Sequence, residues 1–137
     1  MPRDYQVLNH RGDLQIKIIG DSKKKIFEKA MLAMLKLAGY QAEEKSQITE
    51  TKIKIKSFDL NSLLVDFLNE ILYLIETKKL VFQKIKFKEL SDNCLEARLI
   101  GKSLKRMDLQ IKGVSYHNLA IYQRKDRLWE AIILFDI

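Results

Sequence analysis

The stretch from Asp59 to about Lys78 constrains this chain most. Leu60, Leu63, Leu64, Phe67, Leu68, Ile71, Leu72 and Ile75 recur at i, i+3, i+4 and i+7. Only an α-helix gathers that spacing into one apolar stripe. Asp59 fits its N-cap, where a carboxylate accepts from free backbone N–H groups. Asn61, Asp66, Asn69, Glu70 and Glu76 fall on the other side. Burying each large apolar side chain is worth about 1.5–3 kcal/mol before conformational entropy is subtracted. The helix is therefore expected to dock on a sheet and anchor the fold.

The strands needed for that sheet are present. Tyr5–Asn9 and Asp13–Gly20 read as the first two, joined by a tight connection at His10-Arg11-Gly12. A second helix is predicted from an Asp21 or Ser22 cap to about Ala38, with Gly39 ending it. Gln47–Ser57 contains Lys52-Ile53-Lys54-Ile55-Lys56, and Leu80–Leu90 contains Lys84-Ile85-Lys86-Phe87-Lys88. Strict alternation of this kind marks half-buried strands, apolar on one face and lysine on the other. Ser91-Asp92-Asn93 signals a turn, with Cys94–Gly101 returning as a hairpin partner. Lys102–Asp108 reads as an irregular or short helical connection. Leu109–Val114, Ser115–Arg124 and Leu128–Asp136 complete the strands, with a turn at Lys125-Asp126-Arg127. The expected class is α+β: two main helices on one curved, mainly antiparallel sheet. A length of 137 residues allows one domain, spanning 1–137.

Several function classes are disfavoured by composition. The one cysteine, Cys94, excludes an internal disulfide and a multi-cysteine zinc site, and points to a reducing compartment, the cytoplasm by default. The start Met1-Pro2-Arg3-Asp4 is polar, so no signal peptide is expected. No apolar run reaches the roughly 20 residues of a membrane span. With five glycines, no Gly-rich phosphate loop can be assembled. His10 and His117 belong to no zinc-binding pattern. Ser115 and His117 would share a strand face, but no acid partner or oxyanion loop completes a hydrolase triad. Cys94 reads as a small structural hydrophobe.

The charge balance is +7, from 25 basic and 18 acidic residues. Lys23, Lys24 and Lys25 open a helix, where the dipole disfavours cations, and read as a solvated start. The two lysine stripes would suit an RNA backbone. Sheets that bind single-stranded RNA usually add exposed aromatics, and Phe87 falls on the wrong parity. Protection of exposed sheet edges is the alternative reading of these lysines.

The more informative acids are Asp13, at a strand start, and Asp136, at the end of the last strand after an apolar run. The terminal carboxylate of Ile137 adds a further anionic group. If the first and last strands are neighbours, these oxygens converge. Clustered carboxylates repel unless a proton or cation intervenes, and a hard divalent ion, Ca²⁺ or Mg²⁺, prefers such ligands. Lys112 reads as a strand lysine, either solvated or aimed at a carboxylate, phosphate or partner.

Four segments together resemble the archease family. They are His10-Arg11-Gly12-Asp13-Leu14-Gln15-Ile16, the helix from Leu63 to Leu74, Ile111-Lys112-Gly113-Val114-Ser115-Tyr116-His117-Asn118-Leu119, and the ending Trp129 to Ile137. The resemblance implies a fold of strand-helix-strand-strand modules, one inserted in the other. It implies a cytoplasmic, non-catalytic partner of the GTP-dependent tRNA-splicing RNA ligase. That ligase joins 3′-phosphate or 2′,3′-cyclic phosphate ends to 5′-hydroxyl ends. The archease promotes guanylylation of the ligase's histidine and hence multiple turnover. By the same resemblance Asp13, Asp136 and Ile137 hold Ca²⁺ or a similar ion, and Lys112 contacts the ligase or a nucleotide phosphate. Arg11 and Gly12 replace the family's Thr and Ala, and Gln15 a common Gly. The alternative is a basic RNA-binding or RNA-chaperone domain. Transient tRNA contact is compatible with either reading, and no membrane partner is expected.

Overall fold

The computed structural model describes residues 5–9 and 13–137, without the side chains of Asn9, His117 and Asn118. The connection at His10-Arg11-Gly12 and the start at Met1-Pro2-Arg3-Asp4 lie outside the described residues.

In chain order the elements are β1 (Gln6–Asn9), β2 (Asp13–Gly20), α1 (Lys23–Leu37), β3 (Gln41–Ala42), β4 (Thr49–Lys56), α2 (Leu60–Lys78), β5 (Leu80–Leu90), β6 (Cys94–Arg106), β7 (Gly113–Gln123) and β8 (Trp129–Asp136). The α+β class and the two main helices are as expected. The strands, however, form two sheets rather than one. The first runs β1-β2-β8-β7, all antiparallel. The second is centred on β6, with β5 along one side and β4, then β3, along the other. Both helices touch both sheets: α1 packs on β2, β8 and β5, and α2 on β7, β4, β5 and β6. The apolar faces of all these elements meet in a single core.

Local chemistry sets the helix limits. The Ser22 hydroxyl accepts from Lys25 N–H at 3.2 Å, opening α1. Gly39, at φ +68°, closes it, with Gly39 N–H on Lys36 O and Tyr40 N–H on Leu35 O. Asp59 accepts from Ser62 N–H at 2.8 Å and opens α2. That bond holds the Asp59 carboxyl below its ordinary range. The predicted stripe is buried, half-buried at Leu60 and Leu72, and Val65 and Leu74 widen it.

Three strand boundaries differ from expectation. β6 continues through Lys102–Arg106, because β5 and β3 supply ladder partners up to Arg106. Segment 107–112 is then irregular: Asp108 and Leu109 N–H both donate to Ala38 O at the end of α1. The backbone that alternation assigned to a strand from Leu109 is thus held by a helix end. Consequently Lys112 precedes a strand instead of lying within one. From Gly113 a single strand runs to Gln123, with a register shift between Ser115 and Ala120. β3 had no pattern to reveal it, being two residues long.

Gly101 of β6 pairs with Phe82 of β5, at the close approach of the two backbones. A Cβ there would collide with the Val81 carbonyl oxygen. Gly101→Ala should therefore cost about 1–3 kcal/mol, as overpacking does, measured as a lower urea midpoint at unchanged slope. The Asp59 cap predicts an acid-side effect. A lowered folded pKa contributes stability above the unfolded value and loses it as pH falls through the folded one. Asp59→Ser should keep the cap and flatten the loss of stability below about pH 4, read from thermal midpoints against pH.

Candidate functional site

The β2–β8 ladder pairs Asp13 with Asp136 directly. Gly113 of β7 faces Asp136 from the other side. One rung at one end of the first sheet therefore reads Asp13–Asp136–Gly113. Residues opposed in this way project to the same face, with Cα atoms about 4.5–5.5 Å apart. The face is set by parity: Leu14, Ile16 and Ile18 are buried, as are Ala131, Ile133 and Phe135, so both acids project away from the core. Asp13 is half-buried and Asp136 exposed. A Cβ at Gly113 would meet Asn69 Oδ1 at 3.6 Å.

Lys112 is joined to the same rung, its N–H donating to Asp136 O at 2.8 Å. Its side chain is exposed. It also lines a cavity of about 290 Å³ with Tyr40, Asn69, Tyr73, Glu76 and Lys79. Burial pushes the Tyr40 hydroxyl above its ordinary pKa, opposed by a backbone hydrogen bond with Ile111, while the nearby Glu76 charge pushes it further up. Ile137 turns inward after Asp136 and packs on the core, which fixes its main-chain oxygens one residue from the acid.

Directly opposed like charges are destabilising on a sheet. No described basic side chain forms an ion pair with Asp13 or Asp136. Among the described residues no three His, Cys, Asp or Glu side chains cluster. The side chains thus bring two hard carboxylates together, and any further oxygen donors must come from the main chain. That donor set fits a hard divalent ion and not a soft one. Arg11, two residues from Asp13, lies outside the described residues.

The corner is positioned by polar residues of α2. Asn69 Oδ1 accepts from Val114 N–H at 2.9 Å, and Asn69 Nδ2 donates to Val114 O at 3.2 Å. Asn61 Oδ1 accepts from Ile121 N–H at 3.0 Å. Asp66 receives the Ser57 hydroxyl at 2.6 Å and the Tyr116 hydroxyl. The hydrogen bond to Asp66 raises the Tyr116 pKa above its ordinary value. Asn61 and Asn69 thus satisfy three backbone groups on the free edge of β7, which among the described residues pairs with β8 alone, while Asp66 ties the Tyr116 side chain to α2. Sequence reasoning had set them on the side away from the sheet. The available signal was Asn61 and Asn69, eight apart, in a leucine-rich helix, because asparagine disfavours helix interiors.

The other candidates do not converge. Cys94 is half-buried at the start of β6, its N–H donating to the Ser91 hydroxyl at 3.1 Å. Lys23 pairs with Asp92 at 2.7 Å and lies 5.7 Å from the Trp129 ring centroid, while Lys25 pairs with Glu28. The side chain of His117 is outside the described residues. No described helix is long and apolar enough to cross a membrane.

Comparison with known proteins bears on the family and the fold. The family model described as the Archease protein family matches residues 5–137. The chain belongs to the archease family. A Methanosarcina barkeri protein archease is 32% identical, covering 98% of this chain and 97% of that protein. A Pyrococcus furiosus protein archease is 29% identical over 98% of this chain and 99% of its own length. A Thermotoga maritima crystal structure, described as an archease and possible chaperone, superimposes with TM-score 0.72 at 19% identity, covering 95% of this chain and 94% of that one. A Methanobacterium thermoautotrophicum solution structure gives 0.73 at 24% identity, covering 98% and 99%. These two likenesses bear on the fold.

Asn69→Ala should free Val114 and with it the approach to Lys112. Losing both bonds is expected to cost about 1–3 kcal/mol, and amide exchange at Val114 should quicken more than at Ile133.

Proposed function

We propose that this protein activates a GTP-dependent tRNA-splicing RNA ligase without catalysing the joining itself, and that it does so in the cytoplasm. The observation that carries the reading is the shared rung: Asp13 and Asp136 are direct partners, and Lys112 is bonded through its backbone to Asp136. Residues that are far apart in sequence, and that the archease family resemblance assigns to one site, thus meet at one corner.

An accessory protein can accelerate its partner only by favouring the competent state or the transition state. The corner is suited to that. Asp13, Asp136 and the main-chain oxygens of Ile137 would hold Ca²⁺ or a comparable hard ion such as Mg²⁺. Such an ion, when bound, supplies positive charge that offsets the repulsion between the two acids. Lys112 and Lys79, on one cavity wall, offer ammonium groups to a nucleotide phosphate or to an acidic group of the ligase. Seated at the ligase's active-site entrance, this face would help hold GTP against the histidine that receives the guanylate.

The test is ligase–guanylate formation over several turnovers, with cognate ligase, GTP, a divalent ion and substoichiometric protein. Wild type should stimulate; Asp136→Ala and Lys112→Ala should each lose about tenfold or more of the stimulation. Absence of stimulation by wild type would overturn the reading. A calorimetric Ca²⁺ titration separates the ion from the activity. Weaker binding by Asp13→Ala is expected, and equal binding would remove Asp13 from the site.

A further inference from the structure

The second sheet carries a charge pattern that the acidic corner does not use. Lys52, Lys54 and Lys56 of β4 and Lys84, Lys86 and Lys88 of β5 are all exposed, and the two strands flank β6. Arg98 of β6 is also exposed and pairs in register with Lys52 on one side and Lys86 on the other. Three cations thus occupy one rung. Seven basic side chains face solvent there, against Glu50, Glu89 and Glu96. Arg98 reaches Glu50 at 3.2 Å and Lys88 reaches Glu96 at 3.9 Å. The other five lysines have no ion pair among the described residues.

Edge protection accounts for lysine on β4 and β5, which are edge strands. It does not account for Arg98, because β6 is paired on both sides and has no free edge to protect. Like charges directly opposite one another cost stability. The exposed Arg98–Glu50 pair offsets that cost only in part, and Lys52 and Lys86 have no ion pair among the described residues.

We propose that this face binds the phosphate backbone of double-helical RNA. A protein partner is the poorer match, since protein interfaces deplete lysine and concentrate energy in aromatic and apolar anchors. The outward positions of β4, β5 and β6 include no exposed aromatic, and Phe87 is half-buried on the opposite parity. A single-stranded ligand would want that missing stacking platform. A duplex backbone asks only for cations spaced over a flat surface, here about 6.8 Å apart along each strand and about 4.8 Å between strands. The binding itself is independent of the ligase reading; the choice of RNA over DNA rests on it.

The experiment measures binding of a labelled RNA duplex of about 20 base pairs by fluorescence anisotropy, without ligase, across a salt series. Wild type should bind with strong salt dependence. Lys52→Gln/Lys86→Gln/Arg98→Gln should weaken binding about tenfold or more and flatten the slope of log affinity against log salt by roughly 2–3. A matched variant with the same loss of charge outside the second sheet, Lys24→Gln/Lys36→Gln/Lys125→Gln, should bind nearly as wild type. If the first variant fails to fold, Lys84→Gln/Lys86→Gln/Lys88→Gln on β5 reads the same outcome. Equal weakening by the matched variant would overturn the proposal in favour of net charge alone. Tighter binding of duplex DNA, or equal binding of polyglutamate, would overturn RNA as the ligand. Unchanged guanylylation by the lysine variants, together with lost RNA binding, would separate this face from the acidic corner.

Discussion

The pairing of β2 with β8 underlies the rest of the structure. Eight consecutive rungs, from Asp13–Asp136 to Gly20–Trp129, join the chain's early sequence to its late sequence. This ladder forms the middle of the first sheet and presents Leu14, Ile16, Ile18, Ala131, Ile133 and Phe135 to the core. A slip of β2 by one residue would turn Leu14, Ile16 and Ile18 to solvent, carry Asp13 inward and part it from Asp136. The same burial that stabilises the sheet therefore fixes the register of the acidic corner. The corner is held by packing it does not itself supply.

The legible parts of this chain were those with a local pattern. The leucine stripe of α2, the caps at Ser22 and Asp59, and the alternations of β2, β4 and β5 each announce themselves within a few turns or pairs. The less legible parts depend on distant partners. β6 runs past Gly101 because β3 and β5 happen to lie alongside it. Segment 107–112 is not a strand because the end of α1 takes its amides. The division of the strands into two sheets is a tertiary fact that no window of sequence carries.

The site shows the same division. Asp13, Asp136 and Lys112 could be singled out by residue type, position and family resemblance. Their common rung could not be read without the pairing register. Asn61, Asp66 and Asn69 looked like an ordinary polar helix face, yet they fasten α2 to β7. Asparagine works there because one amide can both donate and accept, matching the alternating groups of a strand edge. The positive excess of the chain divides in space too. The cations of the second sheet lie on strands separate from the rung that carries the acids, so the two charge features of this small domain occupy different sheets.

The β2–β8 ladder also sets an order of events during synthesis. β2 leaves the ribosome early and must wait for more than a hundred residues before its central partner exists. Until Trp129–Asp136 emerges, β2 has only β1 beside it and exposes a sticky, isoleucine-rich edge. The acidic corner cannot assemble on a nascent chain halted before β8. Binding at that corner would therefore report that the sheet has closed, distinguishing finished molecules from partial ones.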